Sequence, residues 1–258
     1  MVRKKIFLRL WTIWCLFITI SISLILFLPN LFLIFCFGNF GKNIFVQSNY
    51  YVCNLVLYLF GMRKIITGSF PIKHSEPCIY VVNHKSYLDM IIIASLIPHK
   101  IKYLGKAEAF KWPLFGYLAK HSGQIAVQRD NKTSRQRAYN AMKQAIADGF
   151  SIILFPEGGW RHTGDEKYPN PYGLQEDKLL QNFRNGAFRL ALETQVSVIP
   201  IALINTRDRL SDADMIMKPG NIQAHVFDPI DSKLFQDSFD LNHKCYNLIL
   251  NKLKTING

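Results

Sequence analysis

The chain has 258 residues, which is enough for one α/β domain with an appended segment. Its 31 Lys and Arg exceed its 18 Asp and Glu, and the resulting net charge of +13 favours anionic partners such as a phospholipid surface. The 5 cysteines are widely spaced, without a C-x-x-C pair or a histidine at metal-ligand spacing. This pattern argues against a disulfide scaffold and a metal site, and it fits a reducing cytoplasm.

A long uncharged segment follows the first basic residues. Residues 10–37 contain no charged side chain and are rich in Leu, Ile, Phe and Trp, as bilayer segments are. The run is longer than the core of a signal peptide, and no small-residue cleavage site follows it. We therefore expect this segment to remain in the protein and to hold the chain at a membrane.

A second, weaker apolar stretch covers residues 44–60, and Pro29 interrupts the first stretch. The pair could form one spanning helix with an interfacial one, two spans, or two helices that dip into a single leaflet. Basic residues flank the pair on both sides, so the positive-inside rule favours both ends in the cytoplasm. We predict membrane-associated helices over residues 1–64, at the inner (cytoplasmic) membrane, and a cytoplasm-facing α/β domain over residues 65–258.

The remainder of the chain alternates short β-rich runs with longer helical ones, which is typical of α/β units. This predicts a mixed, largely parallel sheet flanked by helices and preceded by the membrane-embedded helical pair. The predicted strands cover residues 79–83, 101–104, 124–128, 152–155, 198–204 and 222–227. The predicted helices cover residues 87–96, 113–120, 134–148, 186–193 and 241–254. In helix 134–148, we expect Thr133 or Ser134 to cap the start and Gly149 to follow the end.

Two clusters of reactive side chains come directly after predicted strands. Residues 83–89 read N-H-K-S-Y-L-D, and residues 155–161 read F-P-E-G-G-W-R. Ligands in open α/β sheets bind in the crevice beyond the carboxyl ends of the strands. The two clusters therefore predict one shared site.

His84 and Asp89 in the first cluster allow two interpretations. With His84 in a turn and Asp89 in the first helical turn, the carboxylate could accept from Nδ1 of the imidazole and leave Nε2 as a general base. Alternatively, Ser86 and Asp89 form an imperfect capping box at a helix start. The two interpretations are compatible with each other.

The second cluster predicts a turn in which Gly158 and Gly159 allow backbone amides to approach a ligand closely. Glu157 is either an ordinary turn carboxylate or part of the site. Arg161 and His162 add positive charge where a phosphate could be held.

Taken together, these motifs resemble the glycerolipid acyltransferases, and within them the bacterial 1-acylglycerol-3-phosphate O-acyltransferases. Four blocks occur in the family's order: residues 83–89 (N-H-x4-D), 106–129 (similar to K-x-E-L…G-x5-R), 155–158 (F-P-E-G) and 198–201 (V-I-P-I). Residues 183–187, F-R-N-G-A, are similar to the family's F-K-x-G-A segment. Any one block arises easily by chance, whereas the ordered set does not.

The resemblance implies an enzyme that moves a fatty acyl group from acyl-CoA or acyl-carrier protein to the 2-hydroxyl of lysophosphatidate. In the family's mechanism His84 is the general base and Asp89 orients it, without an acyl-enzyme, a metal or a cofactor. The absence of a G-x-S-x-G motif agrees with this. The substrate-binding residues that the resemblance implies are Lys106, Arg129, Glu157, Gly158, Gly159 and Arg161. For residues 198–201, a role in a core strand is a better interpretation than a catalytic role.

One departure from the family concerns the phosphate contact. The family commonly reads E-G-T-R or E-G-S-R, whereas Gly159 and Trp160 here displace the arginine to position 161. Lys167 or Arg184 could supply that contact instead.

Two other functions remain open. The same chemistry could act on another lysophospholipid, glycerol 3-phosphate or an ornithine-type lipid. A membrane-anchored basic binding protein would also fit the charge, but the sequence contains no recognisable nucleic-acid motif. We therefore expect no nucleic-acid partner, and we expect an anionic phospholipid membrane, the lysolipid and the acyl donor as partners.

Overall fold

Seven strands form one sheet in a computed structural model that describes residues 2–70, 76–159, 179–211 and 213–257. The strands are β1 Met62–Gly68, β2 Ile79–Val82, β3 Ile101–Lys106, β4 Ile125–Val127, β5 Ser151–Leu154, β6 Val198–Leu203 and β7 Gly220–Val226. The helices are α1 Val2–Cys36, α2 Gly38–Leu59, α3 Leu88–Ala94, α4 Phe115–His121, α5 Lys132–Ala147, α6 Gly186–Thr194, α7 Thr206–Arg209 and α8 Ser238–Asn257. Short 3-10 turns lie at Ala107–Lys111 and Ser232–Leu234.

The sheet is mixed and largely parallel, as predicted. Its strand order is β1-β7-β6-β2-β5-β3-β4, and only the β6–β7 pairing is antiparallel among the described strands. Strands β2, β5 and β6 are buried along their whole length. Their burial follows from helices on both faces, because α1–α3 contribute to one hydrophobic cluster and α5, α6 and α8 to the other. Residues 198–201 lie in β6, which confirms their core position.

Strand β1 was not predicted from the sequence. It pairs in parallel with β7 over its full length, from Met62 opposite Gly220 to Gly68 opposite Val226. The domain boundary expected between residues 64 and 65 falls inside this strand. The N-terminal segment therefore continues into the sheet.

The N-terminal helical pair is present, and α1 differs from expectation at Pro29. The helix runs without a break through this proline for 35 residues. A proline costs one backbone hydrogen bond, but apolar helices tolerate it when neighbouring groups compensate. A left-handed Gly38 (φ 52°) then turns the chain into α2, and Gly41 contacts α1 so closely that a Cβ there would lie 1.7 Å from the Leu33 carbonyl oxygen.

Helix α1 is the one helix in the described part of the chain that is long and apolar enough to cross a membrane. Its apolar segment Arg3–Cys36 has a mean hydropathy of 2.4, and only 6% of it is buried. The helix is also attached to the α/β domain near both ends. Thr12 Oγ1 accepts a hydrogen bond of 2.9 Å from the Met217 amide, and Phe35 lies 5.1 Å from the His121 ring.

The N-cap of α5 is Asn131, so the prediction of Thr133 or Ser134 was wrong. The Asn131 side chain accepts a hydrogen bond from the Ser134 amide. Ser134 instead accepts with its hydroxyl from the Gln128 amide, which ties the helix start to the preceding strand end. Gly149 has a φ of +83° after the helix, as predicted.

Candidate active site

The two clusters identified in the sequence lie side by side. Strands β2 and β5 are parallel neighbours, with Val81 opposite Leu154, so both chains leave the sheet at the same edge. The segments beginning at Asn83 and Phe155 therefore face each other beyond the carboxyl ends of the strands. This is where a ligand is expected in an open α/β sheet.

His84 and Asp89 form a hydrogen-bonded pair. The imidazole Nδ1 lies 2.8 Å from Asp89 Oδ2, and the carboxylate is fully buried while 14% of the histidine side chain is exposed. The same Oδ2 accepts hydrogen bonds from the amides of Lys85 and Ser86 at 2.7 and 2.9 Å. Because three donors converge on this oxygen, the carboxylate fixes the loop and the orientation of the imidazole.

The capping interpretation is met only in part. The N-cap of α3 is Tyr87, not Ser86, and its side chain makes no capping hydrogen bond. The Ser86 hydroxyl accepts from the Leu88 amide at the start of α3, while Asp89 accepts from the Ser86 amide. The serine hydroxyl also donates to the Leu210 carbonyl oxygen at 2.7 Å. The loop that holds the His–Asp pair is therefore fixed by side chains at the entry to α3.

Glu157 is buried beneath this loop, with 2% of its surface exposed. Its Oε1 accepts from the His84 amide at 2.7 Å, and its Oε2 accepts from the Gln181 amide and the Lys85 ammonium at 3.0 and 3.2 Å. Burial raises the pKa of the Glu157 carboxyl, while the Lys85 ammonium and the two amides act in the opposite direction. These contacts make Glu157 a brace between the two clusters, and its carboxylate does not line the cavity described below.

Two further members of the clusters position the histidine, and the sequence motifs gave them no role. The Phe155 ring stacks on the His84 imidazole at 4.1 Å between centroids. The Asn83 side chain exchanges two hydrogen bonds of 2.7 Å with the backbone of Leu203, which extends the β2–β6 pairing by one side chain. Both contacts join residues more than 70 positions apart, so local spacing in the sequence does not predict them.

A cavity of about 560 Å³ opens beside His84. Apolar side chains from the sheet, α5 and α6 line it, namely Val127, Ala138, Met142, Leu154 and Ala187. Four cationic side chains line it as well: Lys106, Arg129, Arg135 and Arg184. A cavity lined by both apolar and cationic side chains suits a molecule that combines a hydrocarbon chain with an anionic group.

The two glycines of the second cluster bring arginines close to the backbone. Gly158 and Gly159 have φ angles of +78° and +115°. A Cβ at Gly158 would lie 2.5 Å from Arg184 Nε, and one at Gly159 would lie 2.9 Å from Arg129 Nη1. Arg129 also donates to the Gly158 carbonyl oxygen. The absence of side chains here is what lets both guanidinium groups reach the cavity.

The predicted binding residues are thus only partly brought together. Lys106, Arg129, Gly158 and Gly159 line the cavity, and the exposed Lys106 ammonium lies 3.8 Å from a Glu108 carboxylate oxygen. Arg161 and Lys167 lie outside the described residues. Arg135 was not predicted, because it occupies the exposed first turn of a helix and belongs to no motif.

The described residues that line the cavity include His84 but no Ser, Thr or Cys. Because Nδ1 of His84 is hydrogen-bonded to Asp89, Nε2 is the ring nitrogen that could accept a proton from a substrate. The arrangement therefore suits activation of a hydroxyl on a bound substrate.

Comparison with known proteins places this site in a family. A family model described as Acyltransferase matches residues 63–204, which include both clusters. A 1-acyl-sn-glycerol-3-phosphate acyltransferase of Haemophilus influenzae is 29% identical over 183 residues, 69% of this chain and 68% of the relative. A lyso-ornithine lipid O-acyltransferase of Pseudomonas aeruginosa is 31% identical over 138 residues, 54% of this chain and 47% of the relative.

Some relatives are much longer than the matched region. A chloroplastic 1-acyl-sn-glycerol-3-phosphate acyltransferase of Brassica napus is 28% identical over 60% of this chain, which spans only 41% of the plant protein. Among solved structures, the 1-acyl-sn-glycerophosphate acyltransferase of Thermotoga maritima superposes with a TM-score of 0.81 at 18% identity, covering 98% of each chain. The fold is therefore shared over nearly the whole length.

Proposed function

This chain belongs to the acyltransferase family, and we propose that it transfers a fatty acyl group from a thioester, acyl-CoA or acyl-carrier protein, to the 2-hydroxyl of 1-acylglycerol-3-phosphate. The product is phosphatidate. The single observation that carries the proposal is the buried Asp89 carboxylate 2.8 Å from Nδ1 of His84 at the edge of a cationic, partly apolar cavity.

In the proposed reaction, Nε2 of His84 takes the proton of the acceptor hydroxyl as its oxygen attacks the thioester carbonyl. The carbon–sulfur bond then breaks, and the imidazolium returns the proton to the sulfur, which leaves as a thiol. A thioester is already activated, so general-base help of about 10²–10⁴ in rate, together with positioning, accounts for the protein's part. Glu157 contributes as a positioning residue, because it holds the His84 amide.

The choice of lysophosphatidate rests on charge. Lys106, Arg129, Arg135 and Arg184 line the cavity, and arginine binds phosphate oxygens in bidentate geometry. An ornithine-type lysolipid carries a zwitterionic headgroup, which offers a poorer match to four cations. The similarity to a lyso-ornithine lipid O-acyltransferase makes that lipid the most informative alternative acceptor.

We further propose that the helical pair lies within one leaflet of the inner membrane, with the α/β domain in the cytoplasm. Thr12 and Phe35 both contact the α/β domain, and they are about 35 Å apart along a helix rising 1.5 Å per residue. A helix attached to the domain over that distance has little freedom to cross the bilayer. The uncovered side of α1 is apolar, as a leaflet requires.

The test is an assay of the purified protein with a panel of acceptors, followed by mass spectrometry of the lipid products. The panel contains lysophosphatidate, glycerol 3-phosphate, another lysophospholipid and lyso-ornithine lipid, each with acyl-CoA and acyl-carrier protein. We expect the highest kcat/KM with lysophosphatidate. A higher value with lyso-ornithine lipid would replace the proposed acceptor, and no acylation of any acceptor would reject the proposed activity.

A further inference from the structure

We propose that Arg135, in the first turn of α5, binds the acyl donor through the phosphate of its pantetheine arm, whereas the acceptor's phosphate lies at Arg129 and Arg184. Acyl-CoA and acyl-carrier protein both carry this phosphate, on the same arm that ends in the thioester sulfur. The inference rests on the proposed function and divides the cations of the cavity between the two substrates. It gives a role to a residue that belongs to no motif.

The cavity carries more positive charge than one phosphate requires. Four cationic side chains line it, whereas a phosphate monoester carries a charge of about −1.5 to −2 at pH 7. The proposed reaction brings a second phosphate to the same cavity, on the arm of the donor. Since two phosphates repel each other, each of them requires cations of its own.

Arg129 and Arg135 start from the same loop but are held by different backbone groups. The Arg129 guanidinium donates to the Gly158 carbonyl oxygen. Arg184 reaches the same glycine, because a Cβ on Gly158 would lie 2.5 Å from its Nε. Nη1 of Arg135 instead donates to the Arg129 carbonyl oxygen at 2.6 Å, which ties its guanidinium to the loop between β4 and α5. Arg129 and Arg184 therefore form one group at the second cluster, and Arg135 belongs to another loop.

The strand order determines how far these loops lie from the loop that carries His84. His84 follows β2, Gly158 follows the neighbouring strand β5, and Arg135 follows β4, which is three strands from β2 in the order β2-β5-β3-β4. At about 4.8 Å between neighbouring strands, the separations are about 5 Å for the Gly158 loop and about 14 Å for the Arg135 loop. The first suits a phosphate near the reacting hydroxyl, and the second suits a distant one.

The two substrates differ in this respect. In lysophosphatidate, the phosphate is attached to the carbon next to the one that bears the reacting hydroxyl, so it binds near Nε2 of His84. In the donor, the pantetheine arm separates the phosphate from the thioester sulfur. The arm is about as long as four residues and spans about 14 Å when it is extended. That length matches the separation between the His84 and Arg135 loops.

Arg135 is also available to a ligand. Its side chain lines the cavity and is exposed, so a donor that arrives from the solvent meets it at the cavity mouth. Within the described part of the chain, Arg135 pairs with no carboxylate, and its Nε and Nη2 donate no hydrogen bond. The free edge of a guanidinium binds two oxygens of a phosphate at once.

The test uses the full-length protein, lysophosphatidate and three donors with the same acyl chain: acyl-CoA, acyl-carrier protein and S-acyl-pantetheine, which lacks the phosphate. We expect Arg135→Ala to lower kcat/KM about tenfold for each of the two phosphate-bearing donors. It should leave kcat/KM for S-acyl-pantetheine and the KM for lysophosphatidate at their wild-type values. Arg137→Ala is the matched control and should change none of these values, because Arg137 is exposed on the same helix and does not line the cavity.

Three results would overturn the assignment. They are an equal loss with S-acyl-pantetheine, a raised KM for lysophosphatidate, and a loss confined to one of the two phosphate-bearing donors. The last result would identify the partner of Arg135 as the adenine nucleotide of CoA or the acidic surface of the carrier protein instead of the shared phosphate.

A binding measurement without turnover separates this inference from the proposed function. In isothermal titration calorimetry, the wild type should bind 4′-phosphopantetheine about tenfold more tightly than pantetheine, and Arg135→Ala should abolish the difference. Equal affinity of the wild type for the two compounds would overturn the inference, whether or not the protein is active. If the wild type shows the preference but acylates no acceptor, the proposed function fails and the phosphate site stands.

Discussion

Gly158 allows the Arg184 side chain to lie close to the backbone of the second cluster, and Gly149 offers a matched comparison. Gly158 and Gly149 have similar positive φ angles, +78° and +83°, but only Gly158 has a neighbour that an added Cβ would meet. That neighbour is Arg184, whose Nε would lie 2.5 Å away. Alanine substitutions at Gly158 and Gly149 therefore distinguish the effect of backbone strain from the effect of displacing the Arg184 guanidinium.

We expect Gly158→Ala to raise the KM for lysophosphatidate about tenfold, because it pushes Arg184 away from the phosphate. Gly149→Ala is the control: both variants should lose about 1 kcal/mol or more of folding free energy through strain, but Gly149→Ala should keep the wild-type KM. Steady-state kinetics measure the KM values, and thermal melts measure the loss of stability. Equal KM values in the two variants would remove Arg184 from phosphate binding.

At this scale the sequence predicted the residues whose relation is local. His84 and Asp89 are five positions apart, so turn and helix geometry suffices to bring them together. The bracing role of Glu157 depends on contacts with a loop more than 70 positions away in the sequence. Local sequence spacing around Glu157 does not predict such contacts. The motif identified the residue, and only the fold reveals what its oxygens contact.

Among the elements, β1 carries a half-buried lysine that joins two helices. Lys64 donates to the Asn54 side chain on α2 at 2.5 Å and to the Ser95 carbonyl oxygen at the end of α3 at 2.8 Å. Burial lowers the pKa of this lysine below its ordinary value of 10.5. The cation at the carboxyl end of α3 is favourable for the helix dipole, but its desolvation is costly.

This arrangement predicts a pH dependence of stability. Between the lowered pKa and 10.5 the unfolded chain binds more protons at Lys64 than the folded one, so the free energy of unfolding rises with pH. We expect Lys64→Met to remove that rise, whereas Lys132→Met, at an exposed position, should keep it. Thermal melts in detergent from about pH 8 to about pH 10.5 measure the slopes. Parallel slopes in wild type and Lys64→Met would contradict the assignment.

Element prediction succeeded where the signal is periodic and failed where a partner is distant. The six predicted strands and five predicted helices after residue 78 are all present, since alternating apolar runs specify them locally. Strand β1 was missed because Arg63 and Lys64 follow an apolar helix and match the basic flank of a membrane segment. Its strand conformation depends on pairing with β7, more than 150 positions later.

For the whole molecule, the N-terminal helices and the sheet form one body. Cys15 and Ile34 of α1 belong to the same hydrophobic cluster as Tyr80 and Val82 of β2. The opposite side of α1 is uncovered, with Ile25 and Leu28 each 70% exposed. The α/β domain thus rests on a helix whose outer face requires an apolar environment.

We expect the wild type to resist extraction by alkaline carbonate. Ile25→Lys combined with Leu28→Lys should release it, because each lysine costs about 2.5–3.5 kcal/mol in hydrocarbon. Leu234→Lys, at a position 78% exposed on the α/β domain, is the control and should stay membrane-bound. Retention of the double variant would place the membrane contact elsewhere. The composition of residues 10–37 predicts membrane association, and the contacts of α1 with the α/β domain are the basis for proposing one of its geometries.

The central claim concerns His84, and its most direct test is phosphatidate formation by full-length His84→Ala. With lysophosphatidate and acyl-CoA, mass spectrometry should show a loss of about 10²–10⁴ in kcat relative to wild type. His243→Ala, which removes an exposed histidine from α8, should keep wild-type turnover. Both variants should remain bound to membranes. Wild-type turnover by His84→Ala would contradict a general-base role for this histidine.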